Sequence, residues 1–157
     1  MKTNKALIEE EADFLQAYNV CDSFSAYIQA GERYAILNLT QHKASEDQKS
    51  EGVFDSSEVS EAFESEVKRL LTFEEVPDEK TIWQRAMALA DYCKDLGVQT
   101  ALIGGASFFM GPLAEVLKSR GVNAVFAFSK RESIEKEVDG KTVKTSVFKH
   151  AGFVPAF

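Results

Sequence analysis

The sequence predicts an α/β domain over residues 34–157, with a parallel-sheet core, a C-terminal β-hairpin and a helical extension at residues 1–33. Three observations carry that expectation. Short apolar runs at Tyr34–Leu39, Thr100–Ile103 and Ala124–Phe128 have the length and continuity of strands buried on both faces. Segments with apolar residues at 3.6-residue spacing alternate with them. Between residues 100 and 128 the order is strand, Gly-Gly, helix, Gly, strand, which is a βαβ unit. A right-handed crossover then makes its two strands parallel.

Taken in order, Leu7, Ile8, Phe14, Leu15 and Tyr18 lie at helical spacing, opposite Glu9, Glu10, Glu11 and Asp13. A second short helix spans Asp22 to Gln29 and stops at Gly31. This extension can pack on the sheet, cover a pocket or form a dimer contact. The strand Tyr34–Leu39 ends at Thr40-Gln41-His42-Lys43. Ser45 with Gln48 reads as a capping box for a short helix closed by Gly52. Asp55-Ser56-Ser57 offers an N-cap for a helix to about Ser65. Val67–Phe73 fits either the end of that helix or a strand.

Pro77-Asp78 opens a long helix that buries Ile82, Trp83, Ala86, Leu89, Ala90 and Cys93 and ends at Gly97. Gly111-Pro112 opens another, Pro112–Ser119, with proline in the first turn. After Ser129, the runs Glu132–Val138 and Thr142–Phe148 alternate apolar and polar residues around Asp139-Gly140, the strongest short hairpin signal. Phe153–Phe157 is an edge segment or a docked tail.

Composition narrows the function classes. A chain of 157 residues, 45% hydrophobic and 27% charged, fits one soluble domain with a real core. Met1–Glu11 carries charges throughout, and no apolar run approaches the roughly 20 residues of a membrane helix. The expectation is a cytoplasmic protein with no membrane partner. Cys21 and Cys93 lack partner spacing, and the two histidines are not clustered. Neither a disulfide framework, nor a metal site, nor a cofactor is expected.

The net charge of −7 is unevenly spread: Lys118 to the end holds eight Lys/Arg against four Asp/Glu, and the first 117 residues hold ten against twenty-one. The acidic surface disfavours long nucleic acid. A small anion held against the basic third is compatible with it, and so is a hairpin whose lysines protect its edge.

In open parallel sheets, ligands bind beyond the carboxyl ends of strands. Three segments meet that condition here. Thr40-Gln41-His42-Lys43 supplies four polar side chains, with His42 able to move a proton near neutral pH. The alternative is a capping threonine and a solvated histidine, but the position directly after a strand end favours a functional role. Gly104-Gly105-Ala106-Ser107 can present backbone amides to phosphate oxygen, or can be a turn that needs glycine for packing. Ser129-Lys130-Arg131 can neutralise a phosphate, or can merely start the hairpin. Lys149-His150 can reach the same region. Phe108-Phe109-Met110 can stack on a base or fill the core. The fingerprint of a dinucleotide-binding loop is incomplete, and no nucleophile elbow or Walker loop is present.

The C-terminal stretch adds a resemblance. Lys130, Arg131, Ser133, Ile134 and Glu135, then the Asp139-Gly140 turn, then Ser146-Val147-Phe148 and His150, resemble the tail of small CRISPR-associated proteins of type III systems. Leu39-Thr40-Gln41-His42 matches more loosely, and residues 1–33 fall outside the likeness. The resemblance implies a Rossmann-like fold related to domains that sense cyclic oligoadenylate. It also implies ring-nuclease activity, which cuts that messenger and ends an antiviral response.

On that reading the enzyme is metal-independent. His42 is its acid or base, with Lys130 and Arg131 stabilising charge. Thr40, Gln41, Gly104, Gly105, Ser107 and Ser129 contact the ligand. The partner is a small anionic nucleotide, and a homodimer presents the site twice to a symmetric ring. The alternatives are a non-catalytic sponge for the signal and an enzyme acting on another nucleotide or a phosphosugar.

Overall fold

The computed structural model describes residues 36–157; the helices expected within residues 1–33 lie outside the described residues. Five strands form one sheet: β1 (Ile36–Leu39), β2 (Val53–Asp55), β3 (Thr100–Ile103), β4 (Asn123–Val138) and β5 (Lys141–Pro155). Their spatial order is β2-β1-β3-β4-β5. The first four run parallel and β5 returns antiparallel to β4. The sheet is therefore mixed and the class α/β.

Among the described residues five helices fill the connections: α1 (Glu46–Ser50), α2 (Ser56–Val59), α3 (Glu61–Leu71), α4 (Glu79–Asp95) and α5 (Ser107–Ser119). Strand alternation decides where they pack. Leu37, Leu39, Ala101 and Ile103 face one side, where Phe63 and Val67 of α3, Leu89 and Cys93 of α4, and Leu113 and Leu117 of α5 close the main core. On the opposite face Val53 and Leu102 form a smaller cluster with Ala44. Burial pushes the Cys93 thiol up to about 12, so it behaves as a small hydrophobe inside that core.

Several helix ends follow their sequence signals. Ser45 Oγ accepts from Gln48 N at 3.2 Å and Gln48 Oε1 accepts from Ser45 N at 3.0 Å, a complete capping box. Gly52 then takes φ +98°. Asp78 caps α4 by accepting from Thr81 N at 2.7 Å.

Other elements differ from the expectation. The helix expected from Asp55 to Ser65 is broken at Ser60, which adopts an extended backbone and caps a second helix through Phe63 N at 3.0 Å. That second helix absorbs Val67–Leu71, which settles the strand-or-helix ambiguity. Helix α5 begins five residues before Pro112, because Phe109, Met110, Leu113, Ala114 and Leu117 share one helical face on the core. Burying that face outweighs the hydrogen bond lost at an interior proline.

Ser129-Lys130-Arg131 is not a loop. Strand β4 runs through it without interruption to Val138, pairing with β5. Alternation continues across the segment, and cross-strand bonding holds charged residues extended as readily as apolar ones. Asp139 and Gly140, at φ +53° and +74°, make the tight turn whose twist suits a two-residue hairpin.

Two measurements test this packing. Cys93 should resist iodoacetamide in the native protein and react once urea unfolds it, as read by peptide mass spectrometry. Asp78 has its pKa lowered from 3.8 by the side-chain and backbone hydrogen bonds of Thr81. Its stabilisation is thus present above that ordinary value and lost as pH falls through the lowered folded one. Asp78→Ala should lower the Tm at neutral pH, and its gap from the parent should close in acid.

Candidate functional site

From β1 the chain passes to β2 on one side, and later enters β3 on the other. The connections leaving β1 and β3 therefore diverge, and a crevice opens beyond their carboxyl ends. A cavity of about 340 Å³ occupies it, lined by Thr40, Gln41, His42 and Lys43 after β1, Gly104 and Gly105 after β3, and Phe126 and Ala127 of β4.

The turn after β1 is held by a buried polar network. Asn38 Nδ2 donates to Asp55 Oδ1 at 2.8 Å and to the His42 carbonyl at 2.7 Å. Asn38 Oδ1 accepts from Thr40 N at 3.0 Å and Thr40 Oγ1 at 2.7 Å. Asp55 Oδ1 also accepts from Ala44 N at 2.9 Å. Every donor and acceptor valence of the Asn38 amide is thus used. At the outer wall, Gln41 Nε2 donates to Leu71 O at 3.1 Å and lies 3.3 Å from Thr72 Oγ1, which ties the turn to the end of α3.

The glycines answer to two constraints. A Cβ on Gly104 would meet Thr40 Cγ2 at 3.3 Å, and Gly105 holds φ +142°. The first is a packing requirement and the second a conformational one. Both bring the backbone to the cavity wall. No side chain caps the N-terminus of α5 beside it.

The structure thus brings together Thr40, Gln41, His42, Gly104 and Gly105. It does not bring in Ser107, exposed in the first turn of α5, or Ser129, Lys130 and Arg131, exposed on β4 beyond the cavity. The run Phe108-Phe109-Met110 divides. Phe109 and Met110 are buried in the core, and Phe108 stays half exposed, edge-on to Phe73 at 5.1 Å. The His150 side chain is only 3% exposed, with Nε2 3.2 Å from Glu51 Oε1, and it does not line the cavity.

Asn38 and Asp55 are the residues that sequence reasoning missed. The available signal was a lone asparagine inside the apolar run YAILNL, a polar group that must find partners where it is buried.

A larger cavity, about 710 Å³, lies at the α3–α4 turn and contains Lys68, Arg69 and Arg85. The Arg85 guanidinium donates to the carbonyls of Arg69 and Thr72 and lies 4.6 Å over the Phe73 ring. That cation closes the end of α3. The smaller crevice is the one that holds a histidine and the two strand-end glycines. Among the described residues no group of three His, Cys, Asp or Glu is arranged to hold a metal ion. No described helix is long and apolar enough to cross a membrane.

Fold and site together define an α/β domain with a crevice of mixed lining at the point where strand order reverses. Residues 34–154 match the family described as "Uncharacterized protein MJ1673 family", and the chain belongs to that family. No curated protein and no solved structure matches it.

Asp55→Ala strands the Ala44 amide and one Asn38 donor inside the protein. The expected cost is about 2–3 kcal/mol in urea unfolding. Hydrogen exchange should accelerate first at residues 40–44, and uniform acceleration across the sheet would show that the network does not localise there.

Proposed function

We propose that the crevice between β1 and β3 binds a small anionic nucleotide, that the ligand is a cyclic oligoadenylate messenger, and that this domain is a Rossmann-like, metal-independent ring nuclease acting in the cytoplasm. The observation that carries the reading is the convergence of His42, Thr40 and Gln41 with the Gly104-Gly105 backbone at the carboxyl ends of adjacent parallel strands. The resemblance of the C-terminal hairpin to type III CRISPR-associated tails supplies the ligand class.

The chemistry follows from phosphodiester reactivity. The ribose 2′-oxygen attacks the adjacent phosphorus, and the P–O5′ bond breaks. The products are a 2′,3′-cyclic phosphate and a 5′-hydroxyl. His42 takes the 2′-hydroxyl proton or delivers one to the departing 5′-oxygen. The amides of Gly104 and Gly105 hold a neighbouring phosphate. Lys130 and Arg131 meet phosphates that extend out of the crevice, and Ser107 and Ser129 add hydroxyl contacts at its margin. A homodimer offers the site twice to a ring with rotational symmetry.

A second reading, sequestration without cleavage, is favoured by one observation: both residues assigned to charge stabilisation lie outside the cavity lining. Incubation with cyclic tetra-adenylate followed by chromatography separates the readings. Linear products make the protein an enzyme, and intact ligand bound tightly makes it a sponge. Failure to bind any cyclic oligoadenylate removes both. For the enzyme, His42→Ala should slow cleavage by about 10²–10⁴-fold with little change in affinity. Arg131→Ala should weaken binding with the Tm unchanged, because its side chain is exposed.

A further inference from the structure

Strand β3 pairs with β4 only at Asn123–Val125. Beyond that point β4 and β5 continue as a two-stranded ribbon, and every residue from Ala127 to Lys149 is exposed. Ten residues, Ser129–Val138, at about 3.3 Å each give an arm of about 33 Å. A ribbon of two strands is marginal alone in water. Alternation puts Ile134, Val138, Val143 and Val147 on one face of the arm, all more than a third exposed.

Charge says what covers that face. Residues 129–157 hold six Lys/Arg against four Asp/Glu, and residues 36–128 hold nine against fifteen. On the aliphatic face Lys130, Lys136, Lys141 and Lys149 oppose only Glu132, so two such faces would repel one another. The acidic body is the complementary surface. Its loop from Glu74 to Glu79 carries Glu74, Glu75, Asp78 and Glu79 around Val76, which is 98% exposed. Gln41, bonded to Leu71 O, places the start of that loop at the carboxyl end of the sheet, the end from which the arm leaves.

We infer that the β4–β5 arm is a dimerisation arm, which lays its Ile134–Val143 face on the Glu74–Glu79 loop of a second copy of this chain. Two copies facing each other through the carboxyl ends of their sheets exchange arms about a two-fold axis. The inference does not rest on the nucleotide reading, and its test uses protein without ligand.

Sedimentation equilibrium should give a dimer that weakens as salt rises. The double substitution Ile134→Asp/Val143→Asp should give a monomer with unchanged far-UV circular dichroism. Carbodiimide crosslinking of mixed light and heavy-isotope protein keeps the test independent of that variant's folding. It should join Lys136 or Lys141 of one isotope to Glu74, Glu75, Asp78 or Glu79 of the other. A monomer at all concentrations would overturn the inference. So would a dimer whose intermolecular crosslinks avoid the arm, or a monomer that co-purifies with nucleic acid on its arm lysines.

Discussion

The position of the crevice depends on one buried interaction, the bond from the Asn38 amide to the Asp55 carboxylate at 2.8 Å. Asp55 ends β2, Asn38 lies opposite it one residue before the end of β1, and both are nearly inaccessible to water. A carboxylate there is tolerated because a single oxygen satisfies two donors, Asn38 Nδ2 and Ala44 N. The same amide then fixes Thr40 and the His42 carbonyl. Side-chain bonding thus replaces ladder bonding where β1 stops. The backbone of the turn is set by residues behind it, and the side chains of Thr40, Gln41, His42 and Lys43 are left to line the crevice.

This arrangement also explains why the two glycines sit where they do. With Thr40 held by Asn38, its methyl group occupies the space that a Cβ on Gly104 would need. Gly104 is small because Thr40 is fixed, and Gly105 is glycine because the chain must turn at positive φ before α5. Packing and close backbone approach, which compete as explanations in the sequence, are here two consequences of one geometry.

Local signals were legible wherever a residue acts on its immediate neighbours. The Ser45–Gln48 box, the Asp78 cap, the period of α4, the β3–α5–β4 unit and the Asp139-Gly140 turn all appear where those rules put them. Elements defined by distant partners were not. Val53–Asp55 is a strand only because β1 lies beside it, since three residues carry no period. Pro112 misplaced the start of α5, because local preference at proline competes with a core face extending back to Phe109. In the site, residues following a strand could be placed, but Asn38 and Asp55, seventeen positions apart, could not be paired without the sheet. Lys130 and Arg131 read as strand-end residues because the apolar run stops at Phe128; cross-strand partners let the strand run on.

That continuation carries a physical consequence of its own. A register shift between Phe128 and Ser129 separates the part of β4 held by the body from the part held only by β5. Bulges increase twist and bend the strand, so the arm need not lie in the plane of the sheet. Ala124 is buried and Val125 and Phe126 are half-buried, but from Ala127 onward the side chains of β4 meet water, as does Phe148 across the ribbon, 75% exposed. Lysines along both strands oppose uncontrolled edge pairing, yet aliphatic residues recur on one face with the regularity of an interior surface. A ribbon designed only for solubility has no use for that stripe. A ribbon that must reject its own like and accept an acidic surface needs both features together, and the segregation of charge between arm and body supplies the sign that selection requires.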